Sequence, residues 1–550
     1  MSQAGTPATS PPGQRYSGRS LVDPLRWWYQ KNPDVAAIVD RSRSVTYRQL
    51  WPWVRGVSRH LLRSGLQPGD RVSVIGANTA EWCVAALGIL AAGGVVAPFN
   101  VRWVEREIAH AISDAQPRLI IADDDTVKSV AKMVADGRHD AEVVPLSVIA
   151  ALEDRAALEE LAVAGERTAA ATPEVVRGGH DLAVLVYTSG STSAPKGVMF
   201  THDGVLAAAY ESSLADPAFG ASPKYLLCLP LAGCAGIIRG LLINLIPGGT
   251  LYLEDGVDPD YVIDLIARER ITILNTQPYI FERIAESPLF DSADFSSLRL
   301  TTVAGATVPP SLLAKYIAHG VLLRQAWGQT EVAGSCVINA PEFAVTHPEF
   351  CGQAAPFTKL RIVRPDGTAC DPNEAGEIVV QGPSLTPGYW NDPEATATAF
   401  VDGWFRSGDI GRLDSDGNLT FVGRKKEIII SGGINIAPAE IEVVLCEVPG
   451  VLEAVVMGVP DERFGEAVAA VLHVADGTTL EEVQRTCFER LADYKVPRRI
   501  IVAGQPLPRL PTGKLARSAV HAEYSAALTR LEPTVYADRH VIRFVSKSIT

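Results

Sequence analysis

Apolar runs alternate with helix-like stretches through the first part of the chain. Because a strand buried on both faces reads as an uninterrupted apolar run, this alternation predicts parallel sheets covered by helices. The pattern places a helix near residues 81–92, between strands at 71–75 and 95–98. Further strands are predicted at residues 119–122, 182–187, 224–229, 250–253, 271–275, 298–304 and 322–326. The expected fold class is α/β, built in layers.

The pattern changes twice further along. After Pro356, short strands separated by turns predict a smaller β-rich subdomain. Beyond residues 423–426, helices and strands alternate in a unit of about 100 residues, a usual domain size. Its helices are predicted at residues 438–447 and 480–491, and its strands at 451–459, 467–474 and 499–502. We therefore expect a large N-terminal domain of layered α/β subdomains plus the β-rich subdomain, followed by a small mobile α+β C-terminal domain.

The expected boundaries are 21–425 for the large domain, 426–525 for the small domain and 526–550 for a C-terminal extension. Residues 1–20 are rich in Ser, Pro, Gly and Thr, which is typical of a disordered tail and not of a targeting signal. Residues 83–99 carry no charge, but Gly93, Gly94 and Pro98 favour a buried helix, a stop and a short strand. No integral membrane segment is predicted.

Composition excludes some function classes. The chain has 550 residues, 47% of them hydrophobic, enough for a large core and more than one domain. A net charge of -13 and the lack of a basic run argue against nucleic-acid binding. The eight cysteines form no CxxC pair, so we expect reduced thiols and a cytoplasmic location.

The segment TSGSTSAPKG, residues 188–197, directly follows a predicted buried strand. Glycines let the backbone approach a ligand, hydroxyls donate hydrogen bonds and a lysine supplies positive charge, so the segment suits a polyphosphate. It is not a Walker loop, because Gly197 follows Lys196 and no Ser or Thr comes after it. By itself, such a run would more simply be a surface turn. The candidate ligands are Thr188, Ser189, Gly190, Ser191, Thr192 and Lys196.

Later segments contain candidates of the same kind. In WGQTE, residues 327–331, Trp327 can stack on a base, Thr330 can donate to phosphate and Glu331 can bind magnesium. Alone, Glu331 would more simply be an acid at a helix start. Asp409 in FRSGDIG is an acceptor-only group, as two ribose hydroxyls require, or an Asp in an ordinary turn. Lys514 in LPTGK would, alone, be a solvated lysine in a turn.

Together these segments resemble those of the adenylate-forming enzymes, a superfamily of acyl-CoA synthetases, adenylation domains and beetle luciferases. The resemblance runs in the family's order from about Val45 to about Arg517, and GRKKEIIISGGINIAPAEIE, residues 423–442, is its longest match. Ser193 is a departure, because the family loop usually has glycine there.

The resemblance implies a role for each matching residue. Thr188, Glu331 and Lys514 are implied to be catalytic, with Glu331 also on Mg²⁺. Lys426 falls on the family's hinge position, and Gly432 and Gly433 on the edge of its thiol tunnel. Besides the loop residues named above, the implied nucleotide-binding residues are Gly305, Ala306, Trp327, Gly328, Gln329, Thr330, Asp409, Arg424 and Lys514.

The implied reaction has two steps. A carboxylate attacks the α-phosphorus of MgATP to give acyl-AMP, and a thiol then displaces AMP to give a thioester. A cation at Lys514 relieves the repulsion between two anions in the first step only. The glycine edge serves the second step, so the small domain must rotate about Lys426.

The acyl pocket is implied to contain Ala232, Gly233, Tyr279, Gly305 and Gly328. The first two stand in LPLAGCAG, where the family places a bulky His or aromatic residue, so the pocket is either reshaped or simply packed with small residues. This segment has no acidic residue to pair an amino-acid substrate. A fatty or cyclic/aromatic carboxylic acid is the favoured substrate, with chain length open.

Three functions remain open at this point. The first is an acyl-CoA synthetase using ATP, Mg²⁺ and coenzyme A, which would make it a ligase of fatty acid metabolism. The second loads the acyl group onto a carrier-protein phosphopantetheine, and the core motifs do not separate the two. The third, a non-catalytic nucleotide-binding protein, is disfavoured because Glu331, Asp409, Arg424 and Lys514 are all present. Whether the chain forms a homodimer is left open.

Overall fold

The computed structural model describes residues 20–153, 178–188, 195–220, 222–305, 308–510 and 513–532, and the strands at 535–537, 540–543 and 547–549. The tail predicted at residues 1–20 lies outside this part except for Ser20. Four predicted phosphate-loop residues, at 189–192, and Ala306 also lie outside it.

Helices account for much of the described chain. They are Asp23–Lys31, Tyr47–Arg63, Ala80–Ala91, Glu105–Ala115, Val127–Asp136, His202–Ala215, Ala235–Ile243, Pro259–Glu269, Pro278–Ala285, Pro310–Ala318, Phe343–Thr346, Pro393–Ala399, Pro438–Cys446, Leu480–Arg490 and Arg517–Arg530. Among the described helices, none combines the length with the apolar character that a bilayer crossing requires. The helix Ala80–Ala91, whose one charged residue is Glu81 in the first turn, is instead packed inside the large domain, with Thr79 Oγ1 accepting from the Trp82 N–H at its start.

The first sheet has six strands and lies in the N-terminal half of the chain. In spatial order they are Glu142–Pro145, Leu119–Ala122, Arg71–Ile75, Val95–Phe99, Leu182–Thr188 and Lys196–Thr201. All neighbours are parallel except the last pair, which is antiparallel. The predicted phosphate loop connects this antiparallel pair.

The second sheet is parallel from Ala36–Val39 to Leu323–Trp327, and its edge strand Ser44–Thr46 pairs antiparallel with Ala36–Val39. Its strands in spatial order are Ser44–Thr46, Ala36–Val39, Thr250–Leu253, Lys224–Leu227, Ile273–Thr276, Leu300–Val303 and Leu323–Trp327. It then continues, antiparallel, through Val337–Ile338, Phe350–Ala354, Leu419–Arg424, Trp404–Leu413, Gly376–Gln381 and Lys359–Val363. The β-rich region predicted after Pro356 therefore extends this sheet, because the strand ending at Trp327 pairs antiparallel with Val337–Ile338.

The third sheet belongs to the small domain. Its strands in spatial order are Ile434–Ile436, Ile429–Ser431, Gly465–Val474, Arg499–Ala503 and Lys547–Ile549, with Val451–Asp461 also pairing with Gly465–Val474. One face packs on the helices Pro438–Cys446 and Leu480–Arg490 and the other on Arg517–Arg530. The helix Arg517–Arg530 runs across position 525, the predicted end of the small domain. That domain boundary stays a prediction. The α/β fold class with a small α+β domain is confirmed.

Candidate functional site

Three parallel strands of the second sheet end side by side and form the floor of the candidate site. Ile273–Thr276, Leu300–Val303 and Leu323–Trp327 are consecutive neighbours, so their carboxyl ends share one edge. Ligands of open α/β sheets bind at such an edge. Gln277, Gly305 and Gly328 follow the three strands there.

Asp409 is the buried carboxylate of this edge, with only 2% of its surface exposed. Its Oδ2 accepts from the Trp327 indole N–H at 2.9 Å, and Arg424 Nη1 lies 2.9 Å from Oδ1. Arg424 is its register partner on the neighbouring strand. Oδ1 receives no aligned hydrogen bond from a described residue, so it fits a donor such as a ribose hydroxyl. Burial raises the pKa of Asp409, while Arg424 and the indole N–H oppose that rise.

The segments WGQTE and FRSGDIG are joined by a second contact. The Gln329 side-chain amide donates to the Ser407 carbonyl at 3.2 Å, and Ser407 Oγ accepts from the Asp409 N–H at 3.0 Å. Gly328 has no room for a side chain, because a Cβ there would lie 2.0 Å from the Gly334 carbonyl oxygen. Trp327 is thus observed holding Asp409, and its stacking on a base stays a prediction.

Glu331 and Lys196 are both held by the segment that contains Tyr389. The Tyr389 hydroxyl donates to Glu331 Oε1 at 2.8 Å, and Lys196 Nζ lies 5.3 Å from the Tyr389 ring centre. Lys196 Nζ is also 3.4 Å from Asp392 Oδ2. Sequence reasoning missed Tyr389 and Asp392, because only the pairing of Tyr389 with Val198 brings their segment beside Lys196.

Glu331 is the carboxylate that the predicted magnesium site contains. Among the described residues, no group of three or more His, Cys, Asp or Glu side chains is arranged for a metal. Mg²⁺ in nucleotide sites is commonly held by one or two carboxylates together with substrate phosphates and water. Glu331 alone therefore fits a site that the phosphates of a nucleotide complete.

Lys514 of the small domain reaches this edge of the large domain. Its Cε and Nζ lie 3.1 and 3.2 Å from the point where a Cβ on Gly305 would stand. Gly305 has a φ of +87°, so a side chain there would also be strained. Burial lowers the pKa of Lys514, Arg424 lowers it further, and Asp409 opposes both. The structure thus brings Lys514, Asp409 and Arg424 into one electrostatic cluster.

The predicted acyl-pocket residues fall into two groups. Tyr279, Gly305 and Gly328 lie at the shared strand edge, and Tyr279 Cδ1 is 3.3 Å from the Cβ position of Gly513. Ala232 and Gly233 stand before the helix Ala235–Ile243. Their segment packs on the loop after Glu331, where Cys234 Sγ is 3.8 Å from the Cβ position of Gly334. A separate cavity of about 470 Å³, bordered by Arg239 and Arg324, is lined by none of the five predicted residues.

The predicted hinge and thiol edge lie on the small-domain side. Lys426 is exposed in the turn Lys425–Glu427, which joins the second and third sheets. Gly432 and Gly433 form an exposed turn with φ of +58° and +80°. Gly432 packs near Phe464, and its Cβ position lies 3.3 Å from Phe464 Cδ1. Lys514 is the small-domain side chain that meets Gly305 in this arrangement.

Comparisons with known proteins match nearly the whole chain. The family model described as AMP-binding enzyme matches residues 25–390, and that of its C-terminal domain matches 440–514. A feruloyl-CoA synthase of Amycolatopsis sp is 34% identical over 90% of this chain and 96% of its own. The long-chain-fatty-acid–CoA ligase FadD13 of Mycobacterium tuberculosis is 34% identical over 91% and 97%. The crystal structure of ATP-bound MatB from Rhodopseudomonas palustris superposes with a TM-score of 0.82 at 27% identity, covering 93% of this chain and 100% of that one.

Replacing Trp327 with Phe should weaken nucleotide binding. The change keeps the aromatic ring but removes the N–H that holds Asp409, so we expect AMP to bind about 3- to 10-fold more weakly by calorimetry. Trp404→Phe is the matched control, because Trp404 begins the same strand as Asp409 and its ring faces Arg361 instead. An equal loss in both variants would contradict the positioning of Asp409 by Trp327.

Proposed function

Because this chain belongs to the AMP-binding enzyme family, we propose that it converts a carboxylic acid into its coenzyme A thioester through an acyl-AMP intermediate. The curated relatives support the second half of this proposal, since both are named for CoA thioester formation. The observation that carries the first half is the meeting of Lys514 with Gly305 beside the ion pair of Asp409 and Arg424.

In the first step, the acid carboxylate attacks the α-phosphorus of ATP and pyrophosphate leaves. Both reactants are anions, so a cation between them lowers the barrier. Lys514 supplies that cation, Arg424 adds positive charge nearby, and Asp409 Oδ1 accepts from the ribose. Thr188 and Lys196, at the two ends of the phosphate loop, face the β- and γ-phosphates. A magnesium ion held by Glu331 would neutralise phosphate charge.

In the second step, the thiol attacks the acyl carbon and AMP leaves. Lys514 has no role in this step, and the Gly432–Gly433 turn forms the edge along which the thiol arm enters. One site must therefore accept two faces of the small domain in succession. We place the pivot at Lys426, in the exposed turn between the second and third sheets, and the small domain at residues 426–525.

The acid itself is proposed to be fatty or cyclic/aromatic. The two curated relatives span this range, one named for feruloyl and the other for long-chain fatty acids. Ala232 and Gly233 leave little side-chain bulk in the segment beside the pocket. No Asp or Glu stands in residues 229–236 to pair an amino group.

Pyrophosphate release with a panel of acids tests the proposed function. Fatty acids of graded length, benzoates and cinnamates are each supplied with MgATP, with and without CoA. We expect release with at least one acid and a thioester product only when CoA is present. Thioester formation with a phosphopantetheinylated carrier protein and not with CoA would favour the carrier-loading alternative. No release with any acid would overturn the proposal.

Two variants should separate the two steps. Lys514→Ala should lower pyrophosphate release about 100-fold or more, because it removes the cation that faces the transition state, and should leave thioester formation from supplied acyl-AMP nearly unchanged. Gly433→Val should do the reverse, because it narrows the thiol edge. Lys132→Ala, which removes an exposed large-domain lysine, is the control. Equal loss of both steps in Lys514→Ala would contradict its assigned role.

Gly305→Ala should impair the first step through Lys514. The added methyl would stand 3.1 Å from Lys514 Cε and force the ammonium to move. Because misplacement of about 1 Å can cost about 100-fold and this contact requires a shift of a few tenths of an ångström, we expect pyrophosphate release to fall about 2- to 10-fold. Gly320→Ala is a matched control, since Gly320 has a φ of +74° and open space around its Cβ position. If both variants lose activity equally, backbone strain and not contact with Lys514 is responsible.

A further inference from the structure

Lys514 lies in a short segment whose two arms are tied together by backbone hydrogen bonds, and we call this segment, residues 508–510 and 513–516, the hairpin. The Leu510 N–H donates to the Lys514 carbonyl at 2.7 Å, and the Ala516 N–H donates to the Pro508 carbonyl at 2.7 Å. Arg509 and Leu515 face each other as a bridge. The position of the lysine therefore depends on what holds this hairpin.

Glu453 fastens the hairpin to the small domain. One carboxylate oxygen accepts from Arg509 Nη2 at 2.6 Å and the other from the Leu507 N–H at 2.6 Å. Glu453 lies on the strand Val451–Asp461, and its side chain is 10% exposed. A largely buried carboxylate with two short charge-assisted contacts is a firm anchor.

Arg509 also reaches out of the small domain. Its Nη1 donates to the carbonyl of Gly513, the residue directly before Lys514, at 2.7 Å. Its guanidinium carbon lies 4.5 Å from the ring centre of Tyr279, within the range of a cation–π contact. Tyr279 lies in the first turn of the helix Pro278–Ala285, at the strand edge of the large domain. One guanidinium thus contacts the anchor, the lysine hairpin and the opposite domain.

A neighbouring carboxylate supports the position of Arg509 between the domains. Glu282 lies on the same helix as Tyr279. Burial raises its pKa, and Arg509 opposes that rise, so the guanidinium is close enough to act on it. The positive charge of Arg509 is therefore shared between the small-domain Glu453 and the large-domain helix.

We propose that Arg509 is a positioning residue for the first step, which holds the Lys514 hairpin against the large domain by bridging Glu453, Gly513 and Tyr279. This inference rests on the proposed function. The lysine side chain is long and flexible, so its place at Gly305 depends on a fixed backbone. Because the second step needs another face of the small domain, the bridge to Tyr279 has no role there.

The test measures the two steps separately in Arg509→Gln. We expect the kcat of pyrophosphate release to fall about 10- to 100-fold while the KM for ATP and thioester formation from supplied acyl-AMP change by less than about 2-fold. Arg509→Lys keeps the positive charge but lacks the several N–H donors of the guanidinium. Its rate of pyrophosphate release should lie between those of Arg509→Gln and the unmodified protein. Arg361→Gln is the matched control, because its guanidinium lies 4.3 Å from the Trp404 ring within the large domain.

A second pair of variants identifies the partner. Tyr279→Leu should slow the first step, because it removes the ring that the Arg509 guanidinium contacts. Arg509→Gln and Tyr279→Leu combined should lose less than the product of the single losses, since both remove one contact. Equal loss of both steps in Arg509→Gln, or no loss in the first, would overturn the inference. Absence of pyrophosphate release in the unmodified protein would instead overturn the proposed function.

Discussion

The site depends on the approach of one lysine from the small domain to a strand edge of the large domain. That approach is close because Gly305 has no side chain and because its backbone has a φ that favours glycine. Burial disfavours the charged form of Lys514, and Asp409 partly offsets that effect. Phosphate oxygens bound beside Lys514 are negatively charged and would further stabilise the charged form of the lysine.

The architecture explains how distant segments meet at this edge. Parallel strands end together, so Gln277, Gly305 and Gly328 are neighbours without any local pattern that shows it. The same sheet then changes to antiparallel pairing after Trp327. That change brings the strands of Asp409 and Arg424 to the Trp327 indole, where the buried Asp409 carboxylate pairs with the partly exposed Arg424 guanidinium. Leaving the buried carboxylate without these partners would be costly, which favours keeping all three residues together.

Much of this could be predicted from the sequence, for a physical reason. The buried strand Leu119–Ala122 is a continuous apolar run, and its predicted bounds match the structure. Asp409, Arg424 and Lys514 stand in segments whose residue types fit a nucleotide, and the structure places them in one cluster. Their roles, like those of the loop residues at 189–192, stay predictions.

The rest depends on contacts between residues far apart in the chain. Tyr389 is 58 positions from Glu331, and Arg509 is 56 positions from Glu453. No local periodicity or turn chemistry indicates such pairs, because sheet pairing and domain packing decide them. The sequence also does not predict that the β-rich region continues the second sheet. Short antiparallel strands have the same residue pattern whether they form a separate subdomain or extend a larger sheet.

A crystal structure with a non-hydrolysable acyl-sulfamoyl adenosine tests the central claim most directly. The account predicts that the mimic lies between the two domains, with its ribose on Asp409 and its sulfamoyl group within hydrogen-bond distance of Lys514 Nζ. A mimic bound away from the strand edge at Gly305, or bound there with Lys514 turned to solvent, would contradict it.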